Sequence, residues 1–290
     1  MYNPETVRQV IDNLAAKNYL ADESLARAVF HAARAHIPLL LEGAPGVGKT
    51  ALAKALSEVV NRGFFRLQCY EGITAAHALY DWNFRAQILE LRKAELDNRP
   101  GSDVDLFSEE FLLGRPMLQA FRREGSVLLI DEIDRADDEF EAFLLEGLSE
   151  GKISIPEMSP PLEGMQLPLV VITSNGTRDI HEALRRRCAY HWIEHPTRER
   201  EADILQRTVE GDLTAGLAKE IADFFAAVRG TNEKLDFIPG VSASREVAAA
   251  ALATGTTSLT RAFLEDVLCL IAKSHGDQPK VAGMIRGSYR

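Results

Sequence analysis

The sequence predicts an α/β fold in which a parallel sheet is flanked by helices and followed by a small all-helical region. Three short apolar runs, at 37–41, 127–130 and 169–173, are typical of strands that are buried on both faces. Helical patterns separate these runs, as the crossover connections of a parallel sheet require. A chain of 290 residues is also long enough to form one large core and a smaller companion.

The connections between the apolar runs have patterns of their own. Residues 22–35 carry apolar side chains at helical spacing, and so do residues 140–148. Residues 151–155 alternate between apolar and other types, and a Pro-Pro-Leu-Glu-Gly turn follows at 160–164. We therefore expect a projecting hairpin over residues 151–168.

The character of the sequence changes after Pro196. From there on the chain shows helical patterns and no convincing strand, and these patterns cover 199–209, 215–228, 242–253 and 259–272. We place a domain boundary near Pro196, which gives domains of residues 1–196 and 197–290. Residues 274–290 have no clear periodicity, and we expect them to be mobile.

Composition restricts the partners and the compartment. The chain has 43 acidic and 33 basic residues and a formal net charge of -10, so its surface should repel nucleic acid. Its three distant cysteines form no disulfide framework and no paired metal motif. No run approaches the roughly 18 apolar residues that a membrane span needs, and the first residues lack an apolar leader. We expect a cytoplasmic protein with no stable membrane insertion.

A nucleotide-binding motif follows the first apolar run and opens a helical stretch. It fits the pattern GxxxxGK[ST], whose glycines let main-chain N–H groups turn around phosphate oxygens. The candidate binding residues are Gly43, Ala44, Pro45, Gly46, Val47, Gly48, Lys49, Thr50 and Ala51. We expect Lys49 to reach the β- and γ-phosphates of ATP and the Thr50 hydroxyl to hold Mg²⁺. The alternative, a glycine-rich turn that binds nothing, disagrees with the strand–loop–helix context.

Two carboxylates follow the second apolar run. Asp131 at a strand end can bind Mg²⁺, usually through the water shell of the ion, and Glu132 can activate the attacking water as a general base. Alone, such a pair is compatible with a solvated strand end, but after a phosphate-binding loop it predicts an NTP hydrolase. Asn175, after the third run, could orient the water and sense the γ-phosphate, or form an ordinary Asn-Gly turn with Gly176.

These residues resemble the AAA+ ATPases and, within them, the MoxR family. The similar segments are GAPGVGKT, LLIDEIDRADDEFEAFLLEGLSEG and VVITSNGTRD, and the resemblance covers about residues 20–196. The segment RLQCYEGITAAHALYDWNFRAQIL, at 66–89, resembles the CoxD-like branch. The fold implied is the AAA+ sheet with a helical lid.

The resemblance implies a ring, expected to be a hexamer, in which ATP lies between protomers and an arginine of the neighbour touches the γ-phosphate. Arg185, Arg186 and Arg187 stand where the family carries this arginine. A guanidinium is a permanent cation whose planar donors match phosphate. We favour Arg186 or Arg187 for this trans role, and the sequence does not decide between them. The alternative is a cationic cluster at a helix C-terminus.

Three peripheral features follow from the same resemblance. Arg245, near the start of a lid helix, is either a sensor of the γ-phosphate or an exposed helix charge. An insert at about 80–95 and the hairpin at 151–168 would contact the client. Trp82 and Phe84 in the insert could equally belong to the core.

The implied function is an ATP-hydrolysing ring chaperone that remodels a protein client. For the MoxR and CoxD-like proteins the implied client is a metalloenzyme such as carbon monoxide dehydrogenase, matured together with a partner that carries a von Willebrand factor A (VWA) domain. One alternative is an activase of an inhibited enzyme, similar to the CbbQ-type and NorQ-type proteins. A nucleotide-gated binding module with little hydrolysis is another, and a DNA motor is disfavoured by the negative charge.

Overall fold

The computed structural model describes residues 2–97, 100, 105–150, 155 and 166–288. Most of the hairpin predicted at 151–168 therefore lies outside the described residues. Within the described ranges, no helix has the length and apolarity needed to cross a membrane.

The chain forms two compact units that interleave along the sequence. The first comprises Met1–Val10, Ser24–Glu42 and Leu56–His191, and the second comprises Ile11–Glu23, Gly43–Ala55 and Trp192–Arg290. The phosphate-binding motif thus groups with the C-terminal helices and not with the strand that precedes it. Because of this interleaving, the division into domains at Pro196 stays a prediction.

The described elements are seven strands and fourteen α-helices. The strands are β1 (Leu39–Gly43), β2 (Phe64–Gln68), β3 (Tyr80–Trp82), β4 (Leu112–Gly114), β5 (Val127–Asp131), β6 (Leu169–Ser174) and β7 (Ala189–Ile193). The helices are α1 (Val7–Ala15), α2 (Glu23–Ala35), α3 (Lys49–Val60), α4 (Ala75–Leu79), α5 (Phe84–Leu96), α6 (Pro116–Arg122), α7 (Asp138–Glu150), α8 (Glu182–Arg186), α9 (Arg198–Thr208), α10 (Ala215–Arg229), α11 (Val241–Ala253), α12 (Arg261–Asp266), α13 (Leu268–Ile271) and α14 (Asp277–Ser288).

Five strands form one sheet in the order β2-β5-β6-β1-β7, and the pairs β2–β5, β5–β6 and β6–β1 are parallel. This confirms the predicted α/β fold with a parallel sheet. The three apolar runs became the central strands, and every residue of β1, β5 and β6 is buried. The outer strands β2 and β7 are only partly buried, which is why their sequences mix polar and apolar residues.

Helices cover the sheet with apolar faces. Met117 and Phe121 of α6 and Phe140 and Leu144 of α7 belong to the same buried cluster as the strand side chains. The helical face predicted within 140–148 is therefore confirmed.

The segment predicted as an insert, at about 80–95, forms β3 and most of α5, and β3 pairs antiparallel with β4, which comes later in the chain. Trp82 pairs with Leu112 across this sheet and packs on Phe111 and Leu118, so it is a core residue. Phe84, at the start of α5, is 62% exposed. The two aromatic residues that the sequence left undecided thus have opposite environments.

The C-terminal helices form a core of their own. Three of them begin after a threonine whose hydroxyl accepts a hydrogen bond from the first turn: Thr197 before α9, Thr214 before α10 and Thr260 before α12. The expectation that residues 274–290 are mobile is wrong for the described part, because residues 277–288 form α14. Val281 and Ile285 of this helix are buried in the core.

Candidate functional site

The candidate site starts at the carboxyl edge of the parallel sheet. β1, β5 and β6 all end at this edge, with Glu42, Asp131 and Ser174 near their ends. The Thr173 hydroxyl donates a hydrogen bond to Asp131, and the Ser174 hydroxyl donates one to Glu42 at 3.4 Å. Side-chain hydrogen bonds therefore join the ends of neighbouring strands.

The phosphate-binding motif has a main chain that only glycine adopts without strain. Gly46 and Gly48 have φ angles of 79° and 103°, in the left-handed region. Lys49, the first residue of α3, folds its side chain back over the loop and donates hydrogen bonds from Nζ to the carbonyl oxygens of Gly43 (2.7 Å) and Ala44 (2.9 Å). A glycine-turned loop at a helix N-terminus with a buried ammonium group fits a phosphate chain.

The remaining residues of the motif differ in exposure. Pro45, Gly46 and Ala51 are exposed, Val47 is buried, and Ala44, Gly48 and Thr50 are half-buried. The loop thus presents main chain to solvent on one side and anchors Val47 on the other.

The same unit packs the start of α11 against this motif. A Cβ atom on Gly240 would lie 2.6 Å from the carbonyl oxygen of Pro45, and one on Gly46 would lie 2.7 Å from Oγ of Ser242. Both glycines are therefore required by the close approach of two backbones. Arg245, farther along α11, is exposed and donates a hydrogen bond to the carbonyl oxygen of Thr208 (3.2 Å).

Sequence reasoning missed a tyrosine beside the motif. The Tyr19 ring would lie 3.8 Å from a Cβ atom on Gly48, and burial raises the pKa of its phenol. Arg200 of α9 holds the adjacent segment by an ion pair with Asp22 (2.7 Å) and a hydrogen bond to the carbonyl oxygen of Leu20 (2.6 Å). No sequence motif marks Tyr19, since the loop is 24 or more residues away.

Asp131 and Glu132 are held by side chains of the neighbouring strand. Arg66 of β2 pairs with Oδ2 of Asp131, at 2.9 Å from Nε and 2.6 Å from Nη2, and Asp131 is only 4% exposed. Gln68 donates from Nε2 to Oε2 of Glu132 (3.0 Å), and Arg135 donates to the same oxygen (3.1 Å). Glu132 itself has left-handed backbone angles, φ 57° and ψ 52°.

The spacing of Arg66 and Gln68 indicates a shared face of β2 but not what the two side chains contact. Residues i and i+2 of a strand share a face, and the register places Gln68 opposite Asp131. The sequence does not show which strand is the neighbour of β5, so the contact could not be predicted.

Asn175 lies at the end of β6, and its backbone is fixed by Asp134. Asp134 accepts hydrogen bonds from the backbone N–H groups of Asn175 (3.2 Å) and Thr177 (3.0 Å) and from the Thr177 hydroxyl (2.6 Å). Burial alone would raise the pKa of Asp134, but these hydrogen bonds outweigh it and lower the pKa below the ordinary value. Gly176, at φ 72°, makes the turn that the Asn-Gly pair suggests.

The three adjacent arginines have three different environments. Arg185 makes a bidentate pair with Glu42, at 2.8 and 3.0 Å, and this hydrogen bonding raises its pKa. Arg187 donates to the carbonyl oxygen of Leu145 (2.9 Å). Arg186 pairs with Glu182 on the surface, and its side chain is 75% exposed.

Cys69 and Cys188 are protonated thiols at neutral pH and not reactive thiolates. Burial raises the pKa of Cys69 to about 12, with a further contribution from nearby carboxylates, and burial also raises the pKa of Cys188 to about 12. In the described part of the chain, no group of three or more His, Cys, Asp and Glu residues could hold a metal ion.

A known family model matches the part of the chain that contains the parallel sheet and the motifs described above. The AAA domain of the dynein-related subfamily matches residues 38–188, which is just over half of the chain. The chain belongs to this family. AAA+ proteins generally bind nucleotide with Mg²⁺ and are usually oligomeric.

Other similarities are more distant. The uncharacterized protein YeaC of Bacillus subtilis (strain 168) is 27% identical over 123 residues, which are 42% of this AAA-family chain and 30% of that protein. The match thus spans less than a third of the relative. A RuvB structure from Thermotoga maritima, described as a Holliday junction branch migration motor, has a TM-score of 0.46 and 18% identity over 92% of this chain and 72% of that chain. A point mutant of the same RuvB has a TM-score of 0.47 and 17% identity over 92% and 73%.

Proposed function

We propose that this chain is an ATPase that assembles into a ring and uses ATP hydrolysis to remodel a protein client. One observation carries the proposal. The strand β1, which runs directly into the glycine loop with its buried Lys49, belongs to the same sheet as the strands that end in Asp131 and precede Asn175. In a parallel sheet, ligands bind at the carboxyl ends of the strands, and the loop, Asp131 and Asn175 each come at or directly after such a strand end.

The nucleotide-binding residues have distinct roles in this proposal. The N–H groups of the loop from Gly43 to Ala51 and the Lys49 ammonium group hold the phosphates of ATP. Thr50 and Asp131 hold Mg²⁺, which when bound neutralises charge on the phosphate oxygens. A bound Mg²⁺ would compete with Arg66 for the Asp131 carboxylate, because Arg66 already pairs with Oδ2 of Asp131.

Hydrolysis then requires a base and an oriented water. Glu132 takes a proton from water as the water oxygen attacks the γ-phosphorus, and the bond from that phosphorus to the bridging oxygen breaks to release ADP. Gln68 and Arg135 fix the direction of the Glu132 carboxylate, and Asn175 orients the water. Arg245 is a candidate sensor of the γ-phosphate.

The arginine supplied to the neighbouring protomer is Arg186 in this proposal, with Arg187 as the second candidate. Its guanidinium pairs with Glu182 on the exposed surface of α8, whereas Arg185 is bound to the buried carboxylate of Glu42. A guanidinium that reaches the γ-phosphate in trans stabilises the charge of the transition state.

The client and partner rest on the resemblance to the MoxR family and its CoxD-like branch. We propose a hexamer, a metalloenzyme client such as carbon monoxide dehydrogenase, and a partner with a VWA domain. The negative net charge favours a protein client over DNA. An activase of an inhibited enzyme would use the same site, and the client that stimulates hydrolysis distinguishes the two functions.

The proposal is tested by measuring the ATPase rate per protomer against protein concentration. We expect the rate to rise with concentration, because each site is completed by a neighbour, and we expect Glu132→Gln to bind ATP but not to hydrolyse it. The substitution Arg207→Ala removes an exposed arginine of α9 and serves as a control with an unchanged rate. A rate that is independent of concentration would contradict the ring, and full activity of Glu132→Gln would contradict the assigned base.

A further inference from the structure

Glu42 is a buried carboxylate directly before the phosphate-binding loop, and no role in nucleotide binding accounts for it. It is 5% exposed and lies at the end of β1. Its two oxygens accept hydrogen bonds from the two terminal nitrogens of Arg185, and the hydroxyl of Ser174 on the adjacent strand donates a third. The guanidinium carbon of Arg185 also lies 5.3 Å from the centroid of the Tyr190 ring.

This arrangement is suited to fixing geometry. A bidentate Arg–carboxylate pair constrains both position and plane, and the ring contact with Tyr190 restricts the guanidinium further. A buried ion pair is weak evidence for stability, since desolvation offsets much of its attraction. What the pair supplies next to this loop is therefore position, because it fixes the place and plane of the guanidinium.

The helix that carries Arg185 depends on such anchors. α8 has only five residues and is too short to be stable by its own hydrogen bonds. At its start, the fully buried Glu141 accepts a hydrogen bond from the backbone N–H of His181 (2.8 Å) and pairs with Arg178. At its end, Arg187 is bound to the carbonyl oxygen of Leu145.

Arg186 lies between two anchored arginines. Arg185 is bound to β1 and Arg187 to α7, while the intervening Arg186 is exposed and pairs with the exposed Glu182 of the same helix. Because neighbouring residues of a helix are about 100° apart, fixing Arg185 and Arg187 also fixes the direction in which Arg186 leaves the helix.

We propose that Arg185 is a positioning residue: its pair with Glu42 sets the direction of Arg186, and so places the arginine that completes the neighbour's site. The inference rests on the proposed trans role of Arg186. The end of β1 thus serves two functions in this proposal. The loop for the chain's own nucleotide starts there, and Arg185, which positions the arginine offered to the neighbour, is bound there.

The inference predicts kinetic effects that a merely structural pair would not produce. A misplacement of about 1 Å in a catalytic group can cost about 10²-fold in rate. We therefore expect Arg185→Ala to lower kcat for ATP by about that factor while the KM for ATP stays within about twofold. Glu42→Gln, which keeps the shape but weakens the pair, should lower kcat in the same direction, and Arg185→Lys should fall between, since an ammonium group cannot form the fork.

Mixing experiments show in which protomer the defect lies. Arg185→Ala retains Glu132, and Glu132→Gln retains a well-placed Arg186, so an equal mixture of the two should recover activity. A mixture of Arg185→Ala with Arg186→Ala should not recover, because neither variant offers a well-placed arginine. Thermal unfolding and binding of a labelled ATP analogue are measured for each variant. If Arg185→Ala is less stable than the wild type, the mixing experiment is made with Glu42→Gln instead.

The outcomes separate this inference from the proposed function. Normal kcat in both Arg185→Ala and Glu42→Gln would overturn the positioning role. A raised KM for ATP without recovery in mixtures would also overturn it, because the pair would then act on the phosphate-binding loop of the same chain. Normal hydrolysis by Arg186→Ala would instead overturn the proposed function itself. Low kcat with recovery only in the Glu132→Gln mixture supports the inference.

Discussion

The phosphate-binding loop and the pair of Asp131 and Glu132 are built differently. The phosphate-binding loop takes its shape from its own main chain, with Gly46 and Gly48 at positive φ and Lys49 folded onto nearby carbonyl oxygens. Asp131 and Glu132 take their orientation from side chains that are distant in sequence, above all Arg66 and Gln68 of β2. The first part is therefore encoded locally, and the second depends on the assembled sheet.

The largest effect is expected from a substitution in the phosphate-binding loop. Lys49→Ala takes away the cation that binds the phosphates, and removal of one such preorganised group costs about 10²–10³-fold in rate. We expect ATP hydrolysis to fall by at least this factor and ATP affinity to fall as well, both measurable by a phosphate-release assay and by titration with a fluorescent nucleotide. Lys54→Ala, on the exposed side of α3, is the matched control, and equal losses in both variants would contradict the assignment.

A smaller effect is expected where the loop meets α11. The Cβ atom of Gly240→Ala would lie 2.6 Å from the carbonyl oxygen of Pro45, so the two segments must move apart. Overpacking of this kind lowers the free energy of unfolding by about 1–3 kcal/mol, which chemical denaturation measures. Gly216→Ala, in α10 with open space at its Cβ position, should instead be neutral or stabilising by about 0.5 kcal/mol. Equal effects in the two variants would show that the close approach is not rigid.

A similar or slightly smaller effect is expected at Asp131, whose orientation depends on Arg66 of the neighbouring strand. Arg66→Ala leaves the buried Asp131 carboxylate without its cation, and since Arg66 is half exposed we expect a loss of about 1–2 kcal/mol in the free energy of unfolding without ligand. Mg²⁺ with ATP can supply the missing charge. The rise in Tm on adding Mg²⁺ with ATP should therefore be larger for Arg66→Ala than for the wild type, and an equal or smaller rise would contradict competition for Asp131.

The smallest expected effect is a pH dependence at Asp134. Its pKa is lowered in the folded state, so its hydrogen bonds stabilise the fold above the unfolded pKa of about 3.9, and this stability is lost as pH falls through the folded pKa. Asp134→Asn should lower the free energy of unfolding by about 1 kcal/mol at pH 7, because the amide NH₂ group of the new asparagine would face a hydrogen-bond donor. The difference in the free energy of unfolding between this variant and the wild type, measured by chemical denaturation at pH 7 and pH 3, should be smaller at pH 3. A difference that stays constant would contradict the charge effect.

The sequence predicts what is contiguous or periodic. The three central strands, the glycine loop and the polar residues at the ends of β5 and β6 were all visible, because short apolar runs and a local motif mark them. The contacts that organise the site join residues 65 positions apart for Arg66 and Asp131 and 143 positions apart for Arg185 and Glu42. Such contacts depend on strand order, which one sequence does not show.

Periodicity also failed in particular places. α14 was not predicted, because its buried apolar residues Val281, Ala282 and Ile285 are few and lie in a segment with a proline and two glycines. Trp82 could not be told from Phe84 until the pairing of β3 with β4 buried the first and left the second exposed. In both cases tertiary packing, and not local propensity, decides the environment.

The central claim is that each active site is completed by an arginine from a neighbouring chain, and mixing two inactive variants tests it most directly. Glu132→Gln lacks the base but keeps Arg186, and Arg186→Ala keeps the base but lacks the arginine. We predict that each variant alone has little ATPase activity and that an equal mixture regains a clear fraction of the wild-type rate. If the mixture stays as inactive as its components, or if Arg186→Ala is active alone, the arginine does not act in trans.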